Sequence, residues 1–213
     1  MYSKFQHSMN QELLTSFREY LNQYCLQSDH CWKAFSNRLN HVVLPKGAIL
    51  TQLGEVEDKI YFVRDGIVRE YVEFEGREFS IDFVFENGFT SSITSYLKRS
   101  PSQYCLTTQV PTELISISHS ELTWLYENFA EINIIGRKLT EFLLIEKRQR
   151  ELDLLTISAE DRYLNLLSQH PKYLQHIPLK HLASFLGVTA ESLSRIRAKR
   201  GLQSDPISEF EKQ

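Results

Sequence analysis

Between Leu179 and Lys199 the chain sets a small residue, a glycine and an apolar series at offsets that few structures can use. Gly187 follows Ala183 by four residues, and Leu193 and Ile196 follow the glycine by six and nine. That spacing predicts two short helices packed at a steep angle. Ala183 allows close approach, Gly187 takes a positive-φ turn, and Leu182, Leu186, Val188, Leu193 and Ile196 form the joint. The outward positions of the second helix are then Thr189, Ala190, Glu191, Ser192, Arg195 and Lys199, a polar set suited to a DNA major groove. An ordinary helical hairpin whose glycine is only a C-cap is the competing reading. The joint fit of apolar and polar positions favours the DNA-facing one.

Charge placement agrees with this. The 213 residues carry a formal charge of −3, so no cationic field spans the whole protein. From residue 177 to 201, however, Lys180, Arg195, Arg197, Lys199 and Arg200 face a single acid, Glu191. A basic patch on a mildly acidic chain suits a specific reader of double-stranded DNA better than a general binder. With 42% hydrophobic and 24% charged residues the chain is globular, and its length allows two modest domains. No apolar run approaches the roughly 18 residues of a membrane span, and no signal peptide precedes Gln11, so a cytoplasmic location without membrane contact is expected.

Metal and cofactor chemistry finds little support. Cys25, Cys31 and Cys105 are odd in number and scattered, which implies no disulfide framework. Three thiols cannot complete a four-cysteine iron–sulfur site within one chain. Cys25 and Cys31 as a redox pair is a weaker reading than buried or incidental thiols. The seven histidines show no zinc-type spacing. No metal and no cofactor is expected.

Along the chain the periodicity changes three times. Leu13, Leu14, Phe17, Tyr20, Leu21 and Tyr24 predict a leading helix over 11–26. Seven short strands follow: His41–Leu44, Ile49–Gln52, Ile60–Arg64, Val68–Phe74, Glu78–Phe85, Gln103–Gln109 and Glu113–Ser118. Pro45–Gly47, Gly54, Asp65–Gly66, Glu75–Gly76 and Asn87–Gly88 punctuate them as turns. Strands and turns at that density make a compact antiparallel roll or barrel, with a sandwich equally compatible.

A helical region comes next. Ser118 or Ser120 caps a helix running to about Asn128, and from Ala130 to about Leu155 there is no proline and one glycine, Gly136. Ile132, Ile135, Leu139 and Phe142 follow three-four spacing along it. A helix of about 25 residues is about 37 Å long, more than a roll of this size covers. Those four residues are therefore expected to form the seam of a homodimer, with packing on the chain's own domains as the alternative. Ser158 with Asp161 resembles a capping box and starts a further helix that ends before Pro171. Beyond Gly201 a polar tail without a strand pair is expected.

The ordered set of roll, long helix and C-terminal helix-turn-helix resembles the CRP/FNR transcription regulators, whose N-terminal module is a cyclic-nucleotide-type β-roll. Pro45 to Leu50 with Gly54-Glu55 looks like that family's early strand and turn. Ile60 to Val63 with Gly66 to Val68 looks like its hairpin, and 158–197 is similar to its DNA-binding half. The resemblance implies an α+β chain in three parts. These are an N-terminal antiparallel, jelly-roll-like β-roll with its leading helix (1–118), a linker with a long dimerisation helix (119–155), and an all-α helix-turn-helix domain (156–213). It implies a homodimer on a palindromic site, a hinge at 156–158, RNA polymerase as a further partner, and no enzymatic activity.

Carried over position by position, the family's Arg-Glu-Thr opening of the recognition helix, with an arginine four residues after the glutamate, falls on Ala190, Glu191, Ser192 and Arg195. The first arginine is lost. A carboxylate can accept from cytosine N4 and a guanidinium can bridge guanine O6 and N7; an i,i+4 ion pair between Glu191 and Arg195 is the competing explanation. Thr189, Ser192, Arg197, Lys199 and Lys180 are expected phosphate contacts. In the effector loop the chain departs from the family. Its Gly-Glu pair becomes Ser91-Ser92, its phosphate-pairing arginine becomes Ser102, beside Gln103, and Arg99 lies three residues off register. Without a paired cation a buried phosphate is unfavourable, so control by cAMP is not expected; an unidentified small polar effector at Ser91, Ser92, Ser102 and Gln103 is the remaining reading. The alternative function is a cupin-like β-barrel enzyme with an accessory helical domain. It would need clustered histidines and carboxylates, and only His41 lies well inside a predicted strand.

Overall fold

All seven predicted strands form, and the turns between them use the expected positions. Gly47, Gly54, Gly66, Gly76 and Asn87 each take positive φ. The computed structural model describes residues 6–7 and 10–199. The C-terminal tail, the question of a strand pair after Gly201, and Arg200 lie outside the described residues.

Two antiparallel sheets face each other. One has the order β1-β2-β9-β4-β7, from β1 (Gln6–His7), β2 (Asn40–Leu44), β4 (Lys59–Asp65), β7 (Phe89–Thr90) and β9 (Thr112–Ser118). The other is β3-β8-β5-β6, from β3 (Ile49–Thr51), β5 (Val68–Phe74), β6 (Arg77–Val84) and β8 (Cys105–Thr108). Leu44, Tyr61, Val63, Val68, Leu106 and Leu114 fill the space between them. Gly66, at φ +106, turns β4 into β5 against the start of β9. A Cβ there would lie 2.6 Å from Thr112 Oγ1 and 2.9 Å from the Pro111 carbonyl, so the turn excludes any side chain.

Helices cover the first sheet from outside. α1 (Gln11–Asn22) is capped by Asn10, whose side chain accepts from Leu13 N at 2.7 Å, and α2 (Asp29–Ser36) by Ser28. Leu13, Phe17, Leu21, Cys31 and Phe35 pack there with Phe62, Ile115 and Ile117 of the sheet. α3 (Ile93–Lys98) occupies what reads as a hydroxyl-rich loop. Sequence periodicity missed it, together with α2 and the two-residue strands β1 and β7. Each is too short to establish a repeat, and α3 begins inside the Thr90–Ser95 run, whose hydroxyls read as turn chemistry.

Ser118 caps α4 (His119–Asn128), so Ser120 is not the cap. Phe129, extended at φ −136, separates α4 from α5 (Ala130–Thr156), whose 27 residues make a rod of about 40 Å. Gly136 on α5 lies beneath the Tyr126 ring of α4, which a Cβ would strike. The inner face of α5 corrects the expected seam. Ile132 (3% exposed) and Ile135 (5%) are buried in the chain's own N-terminal core and Leu139 packs against it; of the four only Phe142 is open. The open apolar side of the rod carries Phe142, Ile145, Leu152 and Leu155 instead.

Ser158 caps α6 (Ala159–Gln169), accepting from Asp161 N at 3.1 Å while its hydroxyl donates to Asp161 Oδ2 at 2.6 Å. The aspartate thus meets the capping hydroxyl. α7 (Pro171–Leu174), α8 (Leu179–Phe185) and α9 (Ala190–Lys199) complete the described residues. Their core is shared with the roll: Tyr163, Leu174, Ile177, Leu182, Ala183, Leu186 and Leu193 cluster with Ile67, Phe83 and Phe85.

Candidate nucleic-acid interface and effector loop

α8 and α9 meet as the spacing of small and apolar residues requires. Gly187 takes φ +71, and Val188 N donates to the Ala183 carbonyl at 3.0 Å, closing the turn. Ala183, Leu182, Leu186 and Leu193 are each at most 2% exposed, with Ile196 packed beside them. This anchors α9 by one face and leaves the opposite face open.

That open face holds most of the predicted contacts. Glu191, Arg195 and Lys199 are exposed, Ala190 and Ser192 border them, and Arg197 is half-buried. The Glu191 carboxyl sits below its ordinary range, chiefly because its own backbone N–H donates to it; the Thr189 hydroxyl and Arg195 add to this. Thr189, expected on phosphate, is the helix cap: its Oγ1 accepts from Ser192 N at 3.2 Å. Lys199 reaches Glu160 of α6 at 3.2 Å. Lys180, on α8, is exposed and lies apart from the α9 set, within electrostatic reach of Glu78 on β6.

The residues of the effector loop do come together, but against one another. Ser92 and Ser102, both buried, share a 2.6 Å hydrogen bond between their hydroxyls, and Ser102 donates to the Tyr104 carbonyl at 2.6 Å. Ser91 donates to the Lys59 carbonyl at 2.8 Å. The Tyr104 hydroxyl donates to the Ser91 carbonyl and accepts from Ile93 N, at 3.2 and 3.0 Å. Gln103 points outward and is exposed. Arg99 turns away to the Glu57 carbonyl and Asp58, each at 2.8 Å. His41 is tied across β2 and β9 to Glu113 at 2.7 Å. The described residues hold no group of three or more His, Cys, Asp or Glu placed to share a metal, and no helix among them is long and apolar enough to cross a membrane.

Sequence reasoning missed the charges beside this loop. Glu70 is buried on β5, where its carboxylate accepts from Thr90 Oγ1 at 2.9 Å. Lys147 reaches in from α5 and pairs with Asp82 of β6. Burial pushes the Glu70 carboxyl up to about 7, with Asp82 adding to the rise and Lys147 and Thr90 opposing it. Burial works against the Lys147 charge too, yet Asp82 and Glu70 hold its pKa above the ordinary value. The available signal was a charged pair, Arg69-Glu70, near the start of an otherwise good strand.

Glu70 therefore gives a pH prediction. Its folded pKa lies above the unfolded value of 4.5, so the native state binds more protons than the unfolded chain and stability falls as pH rises from about 4.5 to 7. Glu70→Gln keeps an acceptor for Thr90 and removes the charge. Relative to the parent protein it is expected to gain on the order of 1–3 kcal/mol between pH 4.5 and pH 7.5. Urea denaturation at both pH values checks this, and an equal difference at the two would refute it.

Residues 41–129 match the family model of the cyclic nucleotide-binding domain. No curated protein matches the chain in sequence. Among solved structures, a protein from Eubacterium rectale described as a crp/fnr-family regulator superposes with a TM-score of 0.65 at 17% identity, covering 86% of this chain and 88% of that one. FixK2 from Bradyrhizobium japonicum gives 0.65 at 18% identity, covering 76% and 84%. CLP from Xanthomonas campestris, a c-di-GMP-responsive global regulator, gives 0.61 at 20%, covering 82% and 92%. The class is thus a nucleotide-binding-type roll joined by a long helix to a helix-turn-helix. That is the fold of the CRP/FNR transcription regulators.

Proposed function

We propose that the chain is a DNA-binding transcription regulator that reads a palindromic site as a homodimer and is not controlled by cAMP. The observation that carries this is α9 itself: a helix anchored by Leu193 through one face and presenting Glu191, Ser192 and Arg195 on the other. Arg195 bridging a guanine and Glu191 accepting from a cytosine would supply base readout, with Lys180, Arg197 and Lys199 on phosphates. The three-part division at about residues 118 and 155 follows the same reading. Selection from a randomised duplex pool at stated salt tests it: an enriched inverted repeat is expected, and an unenriched pool would refute it.

The homodimer follows from the open side of α5. Phe142, Ile145, Leu152 and Leu155 succeed one another by three, seven and three residues, which places them on one stripe. Leu155 is 84% and Ile145 65% exposed, and a second copy of the same stripe covers them most simply. The Ile145→Glu, Leu152→Glu double variant is expected to sediment as a monomer, with helical content unchanged. Dimers at micromolar concentration would argue against this seam.

Rejection of cAMP rests on the loop geometry. The position expected to hold a phosphate-pairing arginine is Ser102, already engaged by Ser92, and the buried Glu70 carboxyl is bonded to Thr90, which precedes Ser91-Ser92. Lys147, an α5 cation within electrostatic reach of Tyr104, is held by Asp82. Calorimetric titration with cAMP is expected to give no binding heat.

A further inference from the structure

The outer edge of the second sheet is β6, and an edge strand leaves a row of backbone groups without a partner strand. Here α8 lies along that edge. Ser80 N donates to Ser184 Oγ at 3.0 Å, and Phe83 meets Phe185 edge-on at 5.3 Å. Phe85 stacks on His170 at 4.0 Å, and Arg150 of α5 donates to the Phe185 carbonyl at 2.8 Å over the Phe185 ring. A charged cluster sits beneath the N-terminal end of α8. Arg69, 2% exposed, pairs with Glu78 at 2.6 Å, and His181 lies 3.6 Å from the same carboxylate.

This docking competes with the task proposed for α8. In a helix-turn-helix the first helix crosses the phosphate backbone while the second enters the groove. Lys180, the α8 residue suited to a phosphate, instead feels Glu78. The exposed tip of the β5–β6 hairpin carries Glu73, Glu75 and Glu78 against Arg77 alone. A phosphate backbone laid along α8 would meet those carboxylates. The docked state is also incompletely satisfied: Arg69 Nη2 and both ring nitrogens of His181 are buried with no hydrogen-bond partner. They regain solvent when α8 leaves, which lowers the cost of release.

Building on the DNA-binding reading, we propose that the β5–β6 hairpin is an autoinhibitory latch: it holds α8 against the roll and sets carboxylates where DNA phosphates would lie, so that DNA binding requires undocking. The Ser80 amide reports the latch directly, because its hydrogen bond runs to Ser184 and so is lost on undocking. The experiment measures amide exchange of Ser80 by NMR in the full chain, with and without the duplex enriched from the random pool. On saturation with duplex, Ser80 exchange is expected to accelerate by about tenfold or more while core amides such as Ile115 are unchanged. Unchanged or slower exchange at Ser80 overturns the latch and leaves the DNA reading standing. If no duplex is enriched, the DNA reading fails first and the latch falls with it. Glu73→Gln, Glu75→Gln supplies a second test away from the core: about two- to fivefold tighter duplex binding at low salt is expected, vanishing at high salt. Affinity equal to that of the parent at low salt counts against the carboxylate part of the proposal.

Discussion

Arg195→Ala protein is expected to bind its selected duplex about 5- to 150-fold more weakly than the parent, while its affinity for unrelated duplexes hardly changes. The side chain is exposed at the middle of α9 and takes no part in the packing that anchors the helix, so the substitution leaves the fold in place. What remains is salt-sensitive binding through the lysines and arginines that face phosphate, and its salt slope should be close to that of the parent. Glu191→Ala is expected to relax preference at one base pair instead of weakening binding throughout. The rival explanation, a surface ion pair between these two residues, predicts something else. An exposed i,i+4 pair contributes about 0.3–0.5 kcal/mol in general, which corresponds to roughly twofold. Competition binding with base-substituted duplexes separates the two: a twofold loss spread evenly over all sequences would eliminate base readout by Arg195.

The other large effect is on stability. Leu193 is fully buried at the crossing of α9 with α8, among Leu182, Ala183 and Leu186. Leu193→Ala removes three heavy atoms from a core cluster that the C-terminal helices share with the roll, so collapse around the void is restricted. A loss of about 2–5 kcal/mol is expected in urea denaturation followed by circular dichroism. Ser194→Ala, one residue on and exposed, should stay within about 0.5 kcal/mol. A Leu193→Ala loss no larger than this control would mean that α9 is not anchored where its sequence places it. Duplex binding should fall with the anchored fraction, which ties recognition to packing instead of to charge.

How far the sequence could be read depended on how many residues each signal spanned. The helix pair was legible because Ala183, Gly187, Leu193 and Ile196 constrain one another across 14 positions. The seven main strands were legible because alternation and glycine turns agreed. α2 and α3 were not, having eight and six residues and no repeated face. The apolar side of α5 shows a different failure. Three-four spacing found an apolar stripe at Ile132, Ile135 and Leu139, but periodicity cannot tell which stripe meets the chain's own core and which faces outward. At the candidate interface Glu191 and Arg195 were legible as outward residues. Thr189 reads from the sequence as a phosphate contact, but a threonine just before a helix is also its natural cap, and here it caps α9. The Glu70, Asp82 and Lys147 group was invisible because its members lie on three elements and meet only through the tertiary fold.

Besides the Arg150 contact to Phe185, the joint between the end of α5 and the helix pair is fastened by Arg162. Arg162 donates to the Asp153 and Ile157 carbonyls at the end of α5, at 3.3 and 2.6 Å, and to the Leu186 carbonyl at the end of α8, at 2.7 Å. The Ile157 and Leu186 oxygens are helix-end acceptors, while the Asp153 carbonyl also accepts from Ile157 N at 3.2 Å. A bend confined to 156–158 would have to break this fork. The last turns of α5 and the reading helices therefore form a stiff elbow, and any swing of the reading helices must lever the end of the rod with it.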